Sequence, residues 1–213
     1  MIFSDFEKRI IKVTKMALPG ETAQFKMAPV ERLKELKEKA YKMNTAKKAG
    51  VLILFYPAEN LETRLILILR KTYLGVHSAQ IGFPGGKFEE GDESLQDTAL
   101  RETEEEIGIP RETVSVLKKL TEIYIPPSDF FVQPFLGIAL NTPRFITQET
   151  EVEALLEIPL SVFMDDSILM NTQLTTSYAT NIEVPAFLFN GHVVWGATAM
   201  MLNEVREMLK GLL

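Results

Sequence analysis

Apolar residues recur at helical spacing in two stretches near the start of the chain. Phe6, Ile10, Val13 and Met16 predict a helix over residues 3–16. Val30, Leu33, Leu36 and Ala40 predict a second over residues 29–43, with lysines and glutamates between the apolar positions. The intervening ALPGETAQ has the composition of a loop. From Gly50 the pattern changes to short, uninterrupted apolar runs. VLILFY and RLILILR, separated by the turn-like PAENLE, predict core strands. TVSVLKKLTEIYI and FFVQPFLGIAL predict two more around a PPSD turn, and a short helix is expected from Glu151 to just before Pro159. EVPAFLF and HVVWG flank Asn190-Gly191, a strong hairpin signal. Met/Leu/Val spacing then predicts a closing helix over Ala197–Leu212. Mixed strands with helices before, between and after them imply an α/β layered sandwich. Residues 1–48 are expected to form a helical extension and residues 49–213 the main domain. The extension is expected to pack on the main domain; completing a homodimer or lining a ligand pocket are the alternatives.

Composition narrows the function classes. The 213 residues are 46% hydrophobic and 24% charged, enough apolar content to bury one sizeable core. A net charge of −6 argues against nucleic acid as a partner, because such binding relies on dense Lys/Arg contacts to phosphates. A small phosphorylated ligand needs only a few local cations. The absence of cysteine excludes disulfides, thiol nucleophiles and cysteine metal sites. The charged N-terminus does not read as a signal peptide and the apolar runs are too short to span a bilayer, so a cytoplasmic protein is expected, with no membrane association.

Charge distribution points to chemistry. Residues 83–109 hold nine carboxylates in 27 positions. Ser94 with Asp97 resembles a capping box and Gly108 is a natural C-cap, bounding a helix over about 94–107. With Glu102 at zero, Glu105 falls at about 300° and Glu106 at about 40°, so the three share one face. Glu104 falls on another side, and Leu100, Thr103 and Ile107 form the face expected to be buried. Like charges four residues apart destabilise a helix by a few tenths of a kcal/mol, so such a stripe is unfavourable without a cation. Oxygen-only ligands suit Mg²⁺ or Mn²⁺. An isolated run of glutamates would be explained as a solvated surface, but FPGGK precedes this one. Its glycines permit close backbone approach, Lys87 can meet a phosphate, and Arg101 can orient a carboxylate or contact phosphate.

These residues resemble the Nudix box, G-x5-E-x7-R-E-U-x-E-E-x-G-U, where U is bulky and apolar. Gly86, Arg101-Glu102, Glu105-Glu106, Gly108 and Ile109 match it. Asp92 stands at the first carboxylate with eight residues before Arg101, and Thr103 replaces the first bulky residue. Upstream, LRKTYLGVHSAQIGFPGGK is similar to the signature of the coenzyme A diphosphatase branch of this family, through Arg70, His77, Gln80 and Phe83-Pro84-Gly85-Gly86. Asp92, Ser94 and Thr98–Glu102 also fit, and the eight-residue spacing is itself usual in that branch. Ala79 departs from an expected glycine. The resemblance covers roughly residues 51–202.

The resemblance implies a Nudix-type α/β/α sandwich with a mixed central sheet, and hydrolysis of a nucleoside diphosphate-linked small molecule at its phosphoanhydride. It implies Glu102, Glu105 and Glu106 as Mg²⁺ or Mn²⁺ ligands, with the general base either a box glutamate or a distant carboxylate. Glu151 is the distant candidate, with Glu149 and Glu153 as competitors. Arg70, His77, Gln80, Lys87 and Arg101 are the expected substrate contacts. Tyr124, Pro126 and Pro127 lie where other branches select substrate. His192 and Trp195 have plain structural explanations. Coenzyme A or a derivative is the expected substrate, and ADP-ribose or a dinucleotide the alternative. A Nudix-fold sensor without turnover would be a third outcome, but such proteins often lose box carboxylates, and all three are present here.

Overall fold

The uninterrupted apolar runs form strands because both of their faces are covered. In the computed structural model, which describes residues 1–29, 33, 45–71, 80–174 and 182–213, they make the centre of a mixed sheet. Strand β1 (Lys47–Pro57) lies parallel to β7 (Phe130–Ala139), with Leu52 opposite Phe135. The other pairings are antiparallel. β2 (Thr63–Arg70) joins β1, and β5 (Val114–Lys119) and β6 (Ile123–Ile125) both join β7. Two short strands, β3 (Ile81–Gly82) and β4 (Gly85–Lys87), extend β2 and β1 respectively. β8 (Val152–Pro159) pairs with β2, so that eight strands make one sheet among the described residues. A separate sheet contains β9 (Leu169–Leu174), β10 (Ile182–Phe189) and β11 (His192–Trp195).

Alternation along β1 divides the core in two. Leu52, Leu54 and Tyr56 face one side, where helix α3 (Leu95–Ile107) contributes Ala99 and Ile107. Ile53 and Phe55 face the other, against α1 (Phe3–Ile10) and the last helix, α5 (Gly196–Lys210). Phe6 is fully buried with its ring centroid 5.0 Å from that of Phe55. The first helical stretch therefore enters the core opposite α3. It continues past Ile10 as a 3-10 turn over Ile11–Lys15, which keeps Val13 buried. The result is the expected α/β/α arrangement around a mixed sheet.

Several local expectations change. Residues 17–24 are not wholly loop, because Glu21–Gln24 forms the short helix α2, whose Gln24 side chain donates to Thr121 O and to the buried Glu204. The expected strand over TVSVLKKLTEIYI is broken into β5 and β6 opposite Pro134. There the Leu120 carbonyl accepts from the buried Gln133 side chain at 2.7 Å. The helix expected from Glu151 is strand β8. Val152, Leu156 and Ile158 point inward while Glu153 and Glu157 stay exposed, and the β2 edge supplies a ladder that a lone helix would lack. Between α4 (Leu160–Met164) and the Asn190-Gly191 hairpin, β9 appears where no strand was expected. Apart from Pro29 and Leu33, the helix expected over residues 29–43 lies outside the described residues. No helix among the described residues is long and apolar enough to cross a membrane.

Candidate active site

The site lies where the sheet splits. β1 and β2 pair directly only from Phe55↔Leu65 to Pro57↔Thr63. Beyond that they diverge, and the chain from Gln80 to Lys87 fills the gap, pairing first with β2 and then with β1. The Leu52 amide donates to Pro84 O at 2.9 Å, which fixes the turn between β3 and β4. Gly85 follows with φ of 143°, a conformation that favours glycine. At Gly86 any side chain would overlap the Glu102 carboxyl. Gly86 thus lets β4 lie directly against the acidic helix, and Gly85 lets it lie directly against β1.

Helix α3 is set by its ends and its buried face. Ser94 Oγ accepts from the Asp97 amide at 3.2 Å, and Gly108 closes the helix in the left-handed conformation. Thr103 and Ile107 are fully buried, as expected of that face. Thr103 Oγ1 donates to Ala99 O at 2.6 Å, so a hydroxyl replaces a bulky apolar group there without an unsatisfied donor. The three glutamates of the stripe differ sharply in surroundings. Glu106 is 1% exposed, whereas the Glu105 side chain is 52% exposed. Glu102 lies between these extremes.

Each glutamate leans on an arginine. Arg101 holds Asp92 through two bonds, Nε to Oδ1 at 2.7 Å and Nη2 to Oδ2 at 3.1 Å. Its Nη1 lies 3.0 Å from both Glu102 Oε1 and Glu105 Oε2. Asp92 also accepts from Thr98 Oγ1 and the Glu89 amide, and the Arg101 hydrogen bond holds its carboxyl below the usual range. Arg70 performs the corresponding task inside. Its Nη2 donates to Gly85 O at 2.8 Å and its Nη1 stands 3.0 Å from Glu106 Oε1. Glu106 Oε2 accepts from the Gly85 amide at 2.8 Å, but Oε1, although beside Arg70, receives no well-aligned hydrogen bond. Burial pushes the Glu106 carboxyl up to about 7 against the opposing pull of Arg70 and Gly85, and burial also raises Glu102. Among the described residues no three acidic side chains stand together as a ready-made metal cage: Glu102 and Glu105 share Arg101, and Glu106 pairs with Arg70.

A strap returns a fourth carboxylate. Ile146 and Gln148 amides donate to the Ile107 and Glu106 carbonyls at 3.0 and 2.9 Å, tying the segment after β7 to the end of α3. Three residues on, the Glu151 carbonyl accepts from the Lys71 amide at 2.8 Å. The Glu151 carboxylate lies near enough to raise both Glu102 and Glu106 electrostatically. Of its competitors, Glu153 pairs with Lys71 at 3.0 Å, and Glu149 is exposed, as Glu151 itself is.

The other predicted residues scatter. Gln80 accepts from the Arg70 amide through its carbonyl, and Lys87 is exposed with its carbonyl accepting from Arg101. Tyr124 is buried and donates to Asp129, Pro126 and Pro127 form a 3-10 turn, His192 is exposed, and Trp195 precedes α5 half-buried. His77 and Ala79 lie outside the described residues. The Arg70–Glu106 pairing and the Gln148 tether were not anticipated. The first had a signal in an arginine closing an apolar strand; a backbone tether leaves none.

The NUDIX domain family matches residues 46–161. The chain is 34% identical over 146 residues to the Nudix hydrolase NudL of Yersinia pestis strain Pestoides F, across 68% of this chain and 72% of that protein. Among solved structures it superposes on the Nudix hydrolase RenU from M. smegmatis with a TM-score of 0.53 at 13% identity, covering 79% of this chain and 88% of that one. The C. elegans Ap4A hydrolase binary complex gives 0.51 at 16% identity, covering 78% and 98%. Those two likenesses concern the fold; the family match and the NudL identity concern descent. The chain with this split sheet and arginine-braced acidic helix belongs to the Nudix family, and is a hydrolase acting on phosphoanhydrides.

Proposed function

We propose that the chain is a metal-dependent diphosphatase that cleaves coenzyme A or its derivatives into 3′-phospho-ADP and a 4′-phosphopantetheine moiety. The observation that carries the metal site is Glu106, a carboxylate 1% exposed whose Oε1 lacks a well-aligned donor. Its oxygen donors, with those of Glu102 and Glu105, fit a hard divalent cation such as Mg²⁺ or Mn²⁺. When bound, that ion neutralises phosphate oxygens and lowers the pKa of water. Arg101, anchored on Asp92, orients Glu102 and Glu105. Glu151, held by the strap, takes the proton of the attacking water as its oxygen bonds to phosphorus and the P–O–P bridge breaks. Glu149 and Glu153 are the lesser candidates for that role. Gln80, Lys87 and His77 remain candidate substrate contacts in addition to Arg70.

The choice of coenzyme A rests on sequence, on the FPGG run with His77 and Gln80 before it and the Asp92 spacing after it. The test is a panel of coenzyme A, ADP-ribose, NADH and diadenosine polyphosphates with Mg²⁺ or Mn²⁺, with Glu106→Gln as the control. Coenzyme A should be cleaved with the highest kcat/KM, and Glu106→Gln should lower kcat by about 10²-fold or more. An inert coenzyme A beside a well-cleaved ADP-ribose would overturn the substrate, and an active Glu106→Gln the site.

A further inference from the structure

We propose that Arg70 is the resident counter-ion of Glu106, displaced by the incoming divalent cation and thereby released to the diphosphate of the substrate. The proposal rests on the metal site above. Its basis is a guanidinium placed between two partners of different kind. The β2–β8 register shifts between Leu69 and Arg70, and such an irregularity re-aims a side chain at a strand end. The Arg70 amide is pinned to Gln80 O at 3.0 Å, so the side chain pivots from a fixed backbone. Nη2 holds Gly85 O at 2.8 Å, a neutral carbonyl that no cation needs to vacate. Nη1 stands 3.0 Å from Glu106 Oε1 without making a well-aligned bond, so the contact there is charge attraction. Oε1 cannot serve a guanidinium and a divalent ion equally, because the two like charges would stand within about 5 Å of each other. Glu106 is 1% exposed and cannot swing into water, whereas the Arg70 side chain is 25% exposed and already reaches solvent. Arg70 is therefore the partner that moves. A guanidinium freed beside a bound cation lies where phosphate oxygens gather, and its planar fork suits them.

The experiment is a Mn²⁺ titration of metal-free protein, followed by electron paramagnetic resonance at pH 8 without substrate, on wild type, Arg70→Gln, Arg70→Lys and Glu106→Gln. Arg70→Gln should bind Mn²⁺ about tenfold more tightly than wild type, because a competing charge is gone. Its KM for the diphosphate substrate should nonetheless rise, by about tenfold. Arg70→Lys, which keeps the charge, should stay within about threefold of wild-type Mn²⁺ affinity. Unchanged or weaker Mn²⁺ binding in Arg70→Gln would overturn the proposal and make Arg70 a brace for Glu106. Wild type without Mn²⁺ binding that Glu106→Gln weakens would instead overturn the metal site, and this proposal with it. Should Arg70→Gln not fold, crystal structures of the wild type with and without Mn²⁺ decide. The Nη1–Oε1 separation should open from 3.0 Å to beyond the ion-pair range, and a separation that stays at 3.0 Å refutes displacement.

Discussion

Glu106 shows how one residue type acquires chemistry from its surroundings. Its neighbour Glu105 projects toward water, while Glu106 is enclosed by β4, Arg70 and the helix itself. Burial raises its carboxyl from the ordinary value to about 7, above the value it has in the unfolded chain. The proton is therefore bound more tightly in the folded state. That stabilisation is complete below about 4.5 and is lost as pH rises through about 7. Metal-free protein should be less stable at pH 8 than at pH 5 by about 3 kcal/mol, a Tm decrease of roughly 6–12 °C. Glu102 shifts in the same direction. Asp92 is depressed, so its contribution is lost only in more acidic solution, outside this window. Thermal unfolding between pH 5 and 8 checks the slope. Glu106→Gln should flatten it, and Mn²⁺ added to wild type at pH 8 should restore stability in proportion to its binding.

At the scale of elements, the site depends on a strand and a helix approaching more closely than side chains allow. Gly86 on β4 faces the Glu102 carboxyl, and a methyl group there would displace it. The group displaced is the end of a flexible side chain, so the backbone has no reason to move. Gly86→Ala should change Tm by no more than about 4 °C and yet lower metal-dependent kcat at least about tenfold. Thermal unfolding and steady-state kinetics on one preparation separate the two effects. The limits of α3 were legible because caps are local: Ser94 accepts from the Asp97 amide and Gly108 takes the left-handed conformation, although the Asp97 carboxylate accepts from the Glu93 amide and so does not complete the capping box. β8 was not legible as a strand. Its alternation holds only where the β2 edge and the core behind it give meaning to inward and outward.

The whole molecule places the N-terminal helix on the face of the sheet opposite the acidic helix. Phe3, Phe6 and Ile10 share one buried cluster with Phe55, Phe163 and the last helix. The ring centroids of Phe6 and Phe55 are 5.0 Å apart, and Arg9 reaches the last two carbonyls of the chain. A helix joined this way should be part of the cooperative fold. Phe6→Ala should destabilise the protein by about 3–5 kcal/mol, measured by urea denaturation with an unchanged m-value. A loss below about 1 kcal/mol would mark the helix as a detachable arm.

Sequence by itself determined the strands buried on both faces, the ends of the acidic helix and the family, because periodicity, caps and motif spacing are short-range properties. It also identified the glutamates that share a helix face. Only the tertiary structure decided that Glu106 is enclosed while Glu105 is not, that Arg70 reaches Glu106, and that a backbone tether brings Glu151 beside them. Burial and charge pairing depend on which segments meet, and here the meeting point is a gap in the sheet filled by a segment, Gln80 to Lys87, that precedes the helix whose carboxylates it meets.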